Sequence, residues 1–165
     1  MNLNRILKHL FYPGWWLRRD FPPQGLSKIE AAIAASEAKH SGEIRFAIES
    51  SLPLKALWRN EPMHERAVEV FSLLRVWDTE DNNGVLIYLL LADQKVEITA
   101  DRNINKVVQQ ADWDIICQHM QESFKQGHFV EGVIQGIEEI SKHLEKHFPK
   151  SSSDKNELSD KPVIL

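Results

Sequence analysis

The sequence predicts an α/β protein, a three-layer α/β/α sandwich on a small mixed β-sheet. Residues 85–91 read Val-Leu-Ile-Tyr-Leu-Leu-Leu, an apolar run without alternation, as in a central strand covered by helices on both faces. Residues 43–49 alternate strictly, with Ile44, Phe46 and Ile48 on one side and Glu43, Arg45 and Glu49 on the other, the pattern of a strand covered on one face. Segments with helical spacing before, between and after these strands supply the outer layers.

Taken in order, residues 1–23 form a separate arm that is basic and aromatic: Arg5, Lys8, Arg18 and Arg19 precede the first acid, Asp20, among Phe11, Trp15 and Trp16. Ser27-Lys28-Ile29-Glu30 has the form of a capping box, starting a helix that runs to about Lys39. After the alternating strand, residues 53–60 are expected to be a loop. Pro62 suits a first helical turn, and Ala67, Val68, Phe71 and Leu74 carry the stripe of the helix that follows. Residues 78–84 end it in an acidic turn.

A short polar stretch around Asp93 and Gln94 then leads into alternating Val96, Ile98 and Ala100, which specifies a β-hairpin. A turn centred on Asp93 and Gln94 sets Asp101 across from Leu86, near Asp81, Asn82 and Asn83. Trp113, Ile116, Cys117, Met120 and Phe124 mark one helix face, with Gly127 as the residue just beyond its end. Val130, Val133, Ile134, Ile137, Ile140 and Leu144 mark a last helix, stopped by Pro149. The domain is thus expected over residues 24–149. Residues 150–165, rich in Ser, Lys, Asp and Glu, are expected to be a disordered tail.

Composition excludes several functions. A net charge of −4 with mixed signs argues against nucleic-acid binding, which needs a basic face to displace phosphate counterions. The single cysteine, Cys117, forms no intramolecular disulfide and falls on an apolar helix face, where a thiol is a small core filler. The longest apolar run is far shorter than the roughly 18 residues that span a bilayer, and Pro13 with the flanking charges interrupts any signal-peptide core. A cytoplasmic location is expected, with the arm either docked on the domain or touching a membrane surface through Phe11, Trp15 and Trp16 beside Arg18 and Arg19.

Three stretches carry a family likeness: His40-Ser41-Gly42-Glu43-Ile44-Arg45, the run from Asp78 through Asn82-Asn83-Gly84-Val85-Leu86-Ile87-Tyr88, and Val96-Glu97-Ile98 leading to Asp101. Together they resemble the TPM domain, an α/β/α module of a thylakoid-lumen protein of photosystem II repair and of many bacterial proteins, over about residues 26–149. The resemblance implies an acid-phosphatase-like or calcium- or magnesium-binding protein with acidic residues at one sheet edge, or an interaction module at membranes. Two features depart from the family's commoner pattern. Arg102-Asn103-Ile104-Asn105 stands where many members have a glycine-rich segment, and a signal peptide and membrane anchor are not seen.

The candidate site is the acidic edge. Asp78, Asp81 and Asp101 are the expected metal ligands, for calcium or magnesium, because hard divalent cations take several oxygen donors in a concavity. The same acids and asparagines also serve as ordinary turn and helix-end residues. The stretch is not an EF-hand: the sixth position from Asp78 is Asn83 and the twelfth is Leu89. Asp112 and Asp114 are expected to cap a helix, and His143 and His147 to lie on a solvated surface without a third zinc ligand. No nucleophile elbow or phosphate-cradling glycine loop is present, so the catalytic residues are unknown. A cation-dependent hydrolase and a non-catalytic module that holds a partner protein both stay open.

Overall fold

A computed structural model describes residues 3–152 and 154–165. The chain runs through α1 (Leu3–Leu10), α2 (Gly14–Asp20), α3 (Pro23–Glu37), β1 (Glu43–Glu49), α4 (Leu54–Trp58), α5 (Met63–Leu73) and β2 (Gly84–Leu90). A 3-10 turn at Leu91–Asp93 leads to β3 (Lys95–Ala100), α6 (Arg102–Asn105), α7 (Gln110–Lys125), α8 (Phe129–His147) and β4 (Val163–Ile164). The sheet order is β3-β2-β1-β4. β1 lies parallel to β2 and to β4, while β3 is antiparallel to β2, so the mixed sheet expected from the sequence is present.

The α3, α7 and α8 layer packs on one face, where Ile29, Trp113, Phe124 and Ile137 meet Ile44, Phe46 and Ile87. The α4 and α5 layer covers the other, where Leu57, Val70 and Phe71 meet Ala47, Leu86 and Tyr88. The two central strands, β1 and β2, are therefore buried along their whole length, and the burial of these side chains drives the assembly.

Several local expectations change. α3 starts at Pro23, with Pro22 at its N-cap, because proline suits a first helical turn; Ser27 therefore lies within the helix. β1 is buried on both faces. Its polar side is covered because Glu49 is held by Tyr88 and Arg66, and Glu43 by the C-terminal segment. The expected loop at 53–60 contains α4, which buries Ala56 and Leu57. In α5 the inward residue is Val70, whereas Val68 is exposed.

The hairpin register also shifts by two residues. Leu90 pairs with Lys95 and Val85 with Ala100, because four residues turn the chain and Gln94 takes a left-handed conformation at φ 52°. Asp101 consequently donates its N–H to the Gly84 carbonyl at 2.9 Å and not to the level of Leu86. Gly127, at φ 81°, follows α7 as expected.

Described residues of both terminal segments pack into the domain. Val163 and Ile164, in the stretch expected to be disordered, pair with Ala47 and Ile48, because β1 otherwise presents an open edge. The arm forms α1 and α2, with Ile6 packed against the α4/α5 core and Tyr12 and Leu17 against the opposite one.

Candidate functional site

The amino ends of β1 and β2 and the carboxyl end of β3 meet at one pole of the sheet, joined there by the carboxyl ends of α3 and α8 and by the loop at 78–83. The loop is fixed from within. Thr79 Oγ1 accepts the Asn83 N–H at 3.1 Å, Asn82 is left-handed at φ 49°, and Asn83 Nδ2 donates to the Ser41 carbonyl at 2.7 Å. Glu43 N–H donates to the Asn83 carbonyl at 3.2 Å, so the start of β1 is tied to the same turn.

Each expected ligand has its own setting. Asp78 is half-exposed and its carboxylate meets the Arg75 guanidinium at 2.8 Å. Asp81 is exposed, and its carbonyl accepts from Asn103 Nδ2 at 2.6 Å. Asp101 is 6% exposed, caps α6 through Oδ1, and its Oδ2 has no hydrogen-bond partner among the described residues. Asn83 Oδ1 is likewise buried and unpaired among them. Among the described residues no group of three or more His, Cys, Asp or Glu side chains stands together as a metal cage. Asp81 and Asp101 come to one pole, with Asp78 turned toward Arg75.

Arg102 and Asn103, which depart from the family's commoner pattern, close this pole. Arg102 Nη2 donates to Asn82 Oδ1 and Asn103 N–H to the Asn82 carbonyl at 3.2 Å, which binds α6 to the loop. The C-terminal segment adds a wall. Glu157 accepts the Glu80 N–H through both carboxylate oxygens, at 3.1 and 3.2 Å, and Glu43 accepts the N–H groups of Glu157 and Leu158 at 3.2 and 3.1 Å. Between loop and segment lies a cleft of about 360 Å³ lined by Glu80, Asp81, Asp154 and Glu157, with Lys155 and Ser151. All four acids offer hard oxygen donors, which suits calcium or magnesium better than a soft metal.

Behind the cleft lie groups with altered acidity. Burial pushes the Glu37 carboxyl up to about 8, although its hydrogen bond from Ile44 N–H opposes the rise. Burial lowers His40 to about 4; its Nε2 lies 2.8 Å from Ser36 Oγ. Burial also raises Glu43 and lowers the buried Arg45. No spacing signal pointed to Glu37, His40, Glu43 or Glu157 as neighbours, since α3, β1 and the C-terminal segment meet only in three dimensions. The Cys117 thiol is pushed up to about 12 by burial, consistent with a core filler. Asp112 caps α7, accepting the Gln109 N–H at 3.2 Å, as expected.

Comparisons with known proteins give a family model and solved structures of the same fold. A family model described as the TPM domain matches residues 21–143. No curated protein matches the chain. The solution structure of BA42 protein from the psychrophilic bacterium Bizionia argentinensis is similar at a TM-score of 0.76 and 34% identity, over 86% of this chain and 93% of that one. The solution structure of the N-terminal domain of a protein from P. gingivalis shares the fold at a TM-score of 0.62 and 17% identity, over 78% of this chain and 81% of that one.

Proposed function

This chain belongs to the TPM-domain family, and from that premise we propose that it is a binding module whose acidic pole takes a divalent cation, calcium or magnesium. The observation that carries this reading is the cleft in which Glu80 and Asp81 of the loop and Asp154 and Glu157 of the C-terminal segment line one wall-to-wall space. The cleft already holds positive charge, since Lys155 lines it and Lys150 pairs with Asp154, so a divalent cation would bind by displacing these ammonium groups from the carboxylates. Asp81 is the expected ligand that borders the cleft. Asp101, a buried carboxylate with one oxygen unpaired among the described residues, stands at the same pole without lining the cleft. Asp78 would join only on leaving Arg75.

The bound cation would fasten the C-terminal segment to the loop, so the same pole would present a different surface to a partner protein with and without cation. Affinity in the submillimolar to millimolar range, roughly 10⁻⁴–10⁻³ M, suits a site assembled from exposed segments without a dedicated cage. Phosphatase-like hydrolysis, which family membership suggests, is a separate step that requires a base at this cleft.

Titration of calcium or magnesium into the protein, followed by amide chemical shifts, tests the reading. Shifts concentrated in residues 80–84, 101–105 and 154–158 are expected, and silence there at millimolar cation would sink it. Phosphomonoester turnover lost in Asp81→Asn or Asp101→Asn would add catalysis to binding.

A further inference from the structure

The arm lies at the other end of the sheet from the acidic cleft. Asp93, its anchor, follows β2, whereas the acidic loop precedes that strand, and seven residues of strand separate the two by roughly 23 Å. α1 is held by its inner face. His9 Nδ1 accepts the Leu52 N–H at 3.0 Å, which leaves Nε2 as the protonated nitrogen facing Asp93 Oδ1 at 3.1 Å. Arg5 Nε donates to Asp93 Oδ2 at 2.9 Å.

The outer face is apolar. Leu10 is 54% exposed, Phe11 73% and Trp15 63%, and Trp58 on the adjoining α4 is 69% exposed. Ile6, Tyr12 and Leu17 already supply the arm's contacts with the two cores, so these outer residues are not needed to hold it in place. Four large apolar side chains exposed on neighbouring helices are more than scattered single exposures and point to an interaction site. Residues 1–19 contain Arg5, Lys8, Arg18 and Arg19 and no acid, and of these Arg5 is paired with Asp93 and Arg19 with Asp20. Lys8 and Arg18 are exposed, and the Arg19 guanidinium lies 5.0 Å from the Trp16 ring centroid and 5.9 Å from that of Trp15.

We propose that the outer face of α1 and α2 docks on an anionic phospholipid bilayer, with Phe11 and Trp15 entering the headgroup layer and Lys8 and Arg18 meeting lipid phosphates. Amphipathic aromatic rings settle at that depth, and basic side chains are attracted to the negative leaflet. A second copy is a poorer occupant, because it would set two basic arms against each other. Docking in this orientation turns the acidic cleft away from the lipid, so the negatively charged pole is not driven into a negatively charged surface.

The test uses the full chain and two vesicle preparations, phosphatidylcholine alone and phosphatidylcholine mixed with phosphatidylglycerol. Co-sedimentation with the mixed vesicles only is expected, weakening with added salt. Lys8→Glu with Arg18→Glu should lower the partition coefficient roughly fivefold or more per residue. Phe11→Ser with Leu10→Ser should also release the protein while circular dichroism stays that of the parent, since both side chains are exposed. Absence of sedimentation, equal binding to neutral vesicles, or binding unchanged in both double variants would overturn the proposal. So would light scattering that shows a dimer dispersed by Phe11→Ser, which would assign the face to a second copy.

Discussion

Gly84 and Val76 touch so closely that only hydrogen fits between them: a Cβ on Gly84 would lie 2.1 Å from the Val76 carbonyl oxygen and 2.9 Å from its Cγ1. The obstruction is backbone, which cannot swing aside as a flexible side chain would. Gly84→Ala is therefore expected to push the turn at 77–83 off the start of β2. A loss of about 1–3 kcal/mol or more in urea unfolding is the expected result, with amide shifts centred on the loop. An alanine variant as stable as the parent would show that the turn yields freely.

Glu49 is the buried anion that joins β1, β2 and α5. Tyr88 donates its hydroxyl proton to Oε2, and Arg66 donates to both carboxylate oxygens at 2.9 Å while also reaching Glu69. Burial and the Glu49 carboxylate hold the Tyr88 hydroxyl far above its ordinary pKa. Tyr88→Phe removes one donor and should cost about 1 kcal/mol. Arg66→Met leaves the carboxylate buried without its cation and should cost more, roughly 2–3 kcal/mol given that Arg66 is partly solvated. Denaturant midpoints that ranked the two variants in the reverse order would contradict this division of roles.

Stability should fall on both sides of a mid-pH maximum because of two groups behind the cleft. Glu37 has a folded pKa raised to about 8 from 4.5, so the folded state binds the proton more tightly. Its contribution is complete below 4.5 and is lost as pH rises through about 8. His40 has a folded pKa lowered to about 4 from 6.5, so its contribution is present above 6.5 and is lost as pH falls through about 4. Urea midpoints across this range should show Glu37→Gln flattening the alkaline limb and His40→Gln flattening the acid limb. Unchanged limbs in both variants would place the titration elsewhere.

The fold was legible where pattern is local. The apolar run of β2, the alternation of Glu43–Glu49 and the stripe through Trp113, Ile116, Met120 and Phe124 each report the environment of one element. What escaped notice depends on partners far along the chain. Burial of the polar side of β1 required Tyr88, Arg66 and the segment at 157–158, none of which periodicity can place beside Glu43 and Glu49. The Asp101 register failed for a narrower reason, since Leu91 and Ala92 look like strand residues but enter a 3-10 turn that lengthens the hairpin loop. A polar composition likewise concealed the pairing potential of Val163 and Ile164, which only the open edge of β1 makes useful.

That edge defines the final prediction. β4 is short, but its junction with the domain is reinforced: Leu165 N–H donates to the Ile48 carbonyl at 2.9 Å, and Leu158 and Val163 pack against the α4/α5 core. Glu43, 2% exposed, also takes its two backbone donors from Glu157 and Leu158. Deleting residues 150–165 would bare the β1 backbone and leave the Glu43 carboxylate without those donors. Unpaired strand edges invite pairing with another chain, so light scattering should show self-association that increases with protein concentration. Urea unfolding at low concentration should show a loss of about 2–4 kcal/mol, the scale expected when charge-assisted hydrogen bonds and their apolar cover are removed together. Glu43→Gln in the full chain separates the two effects: it should retain β4 and stay monomeric while losing part of the stability. A truncated chain that remained monomeric and as stable as the parent would show that the segment rests on the sheet without contributing to it.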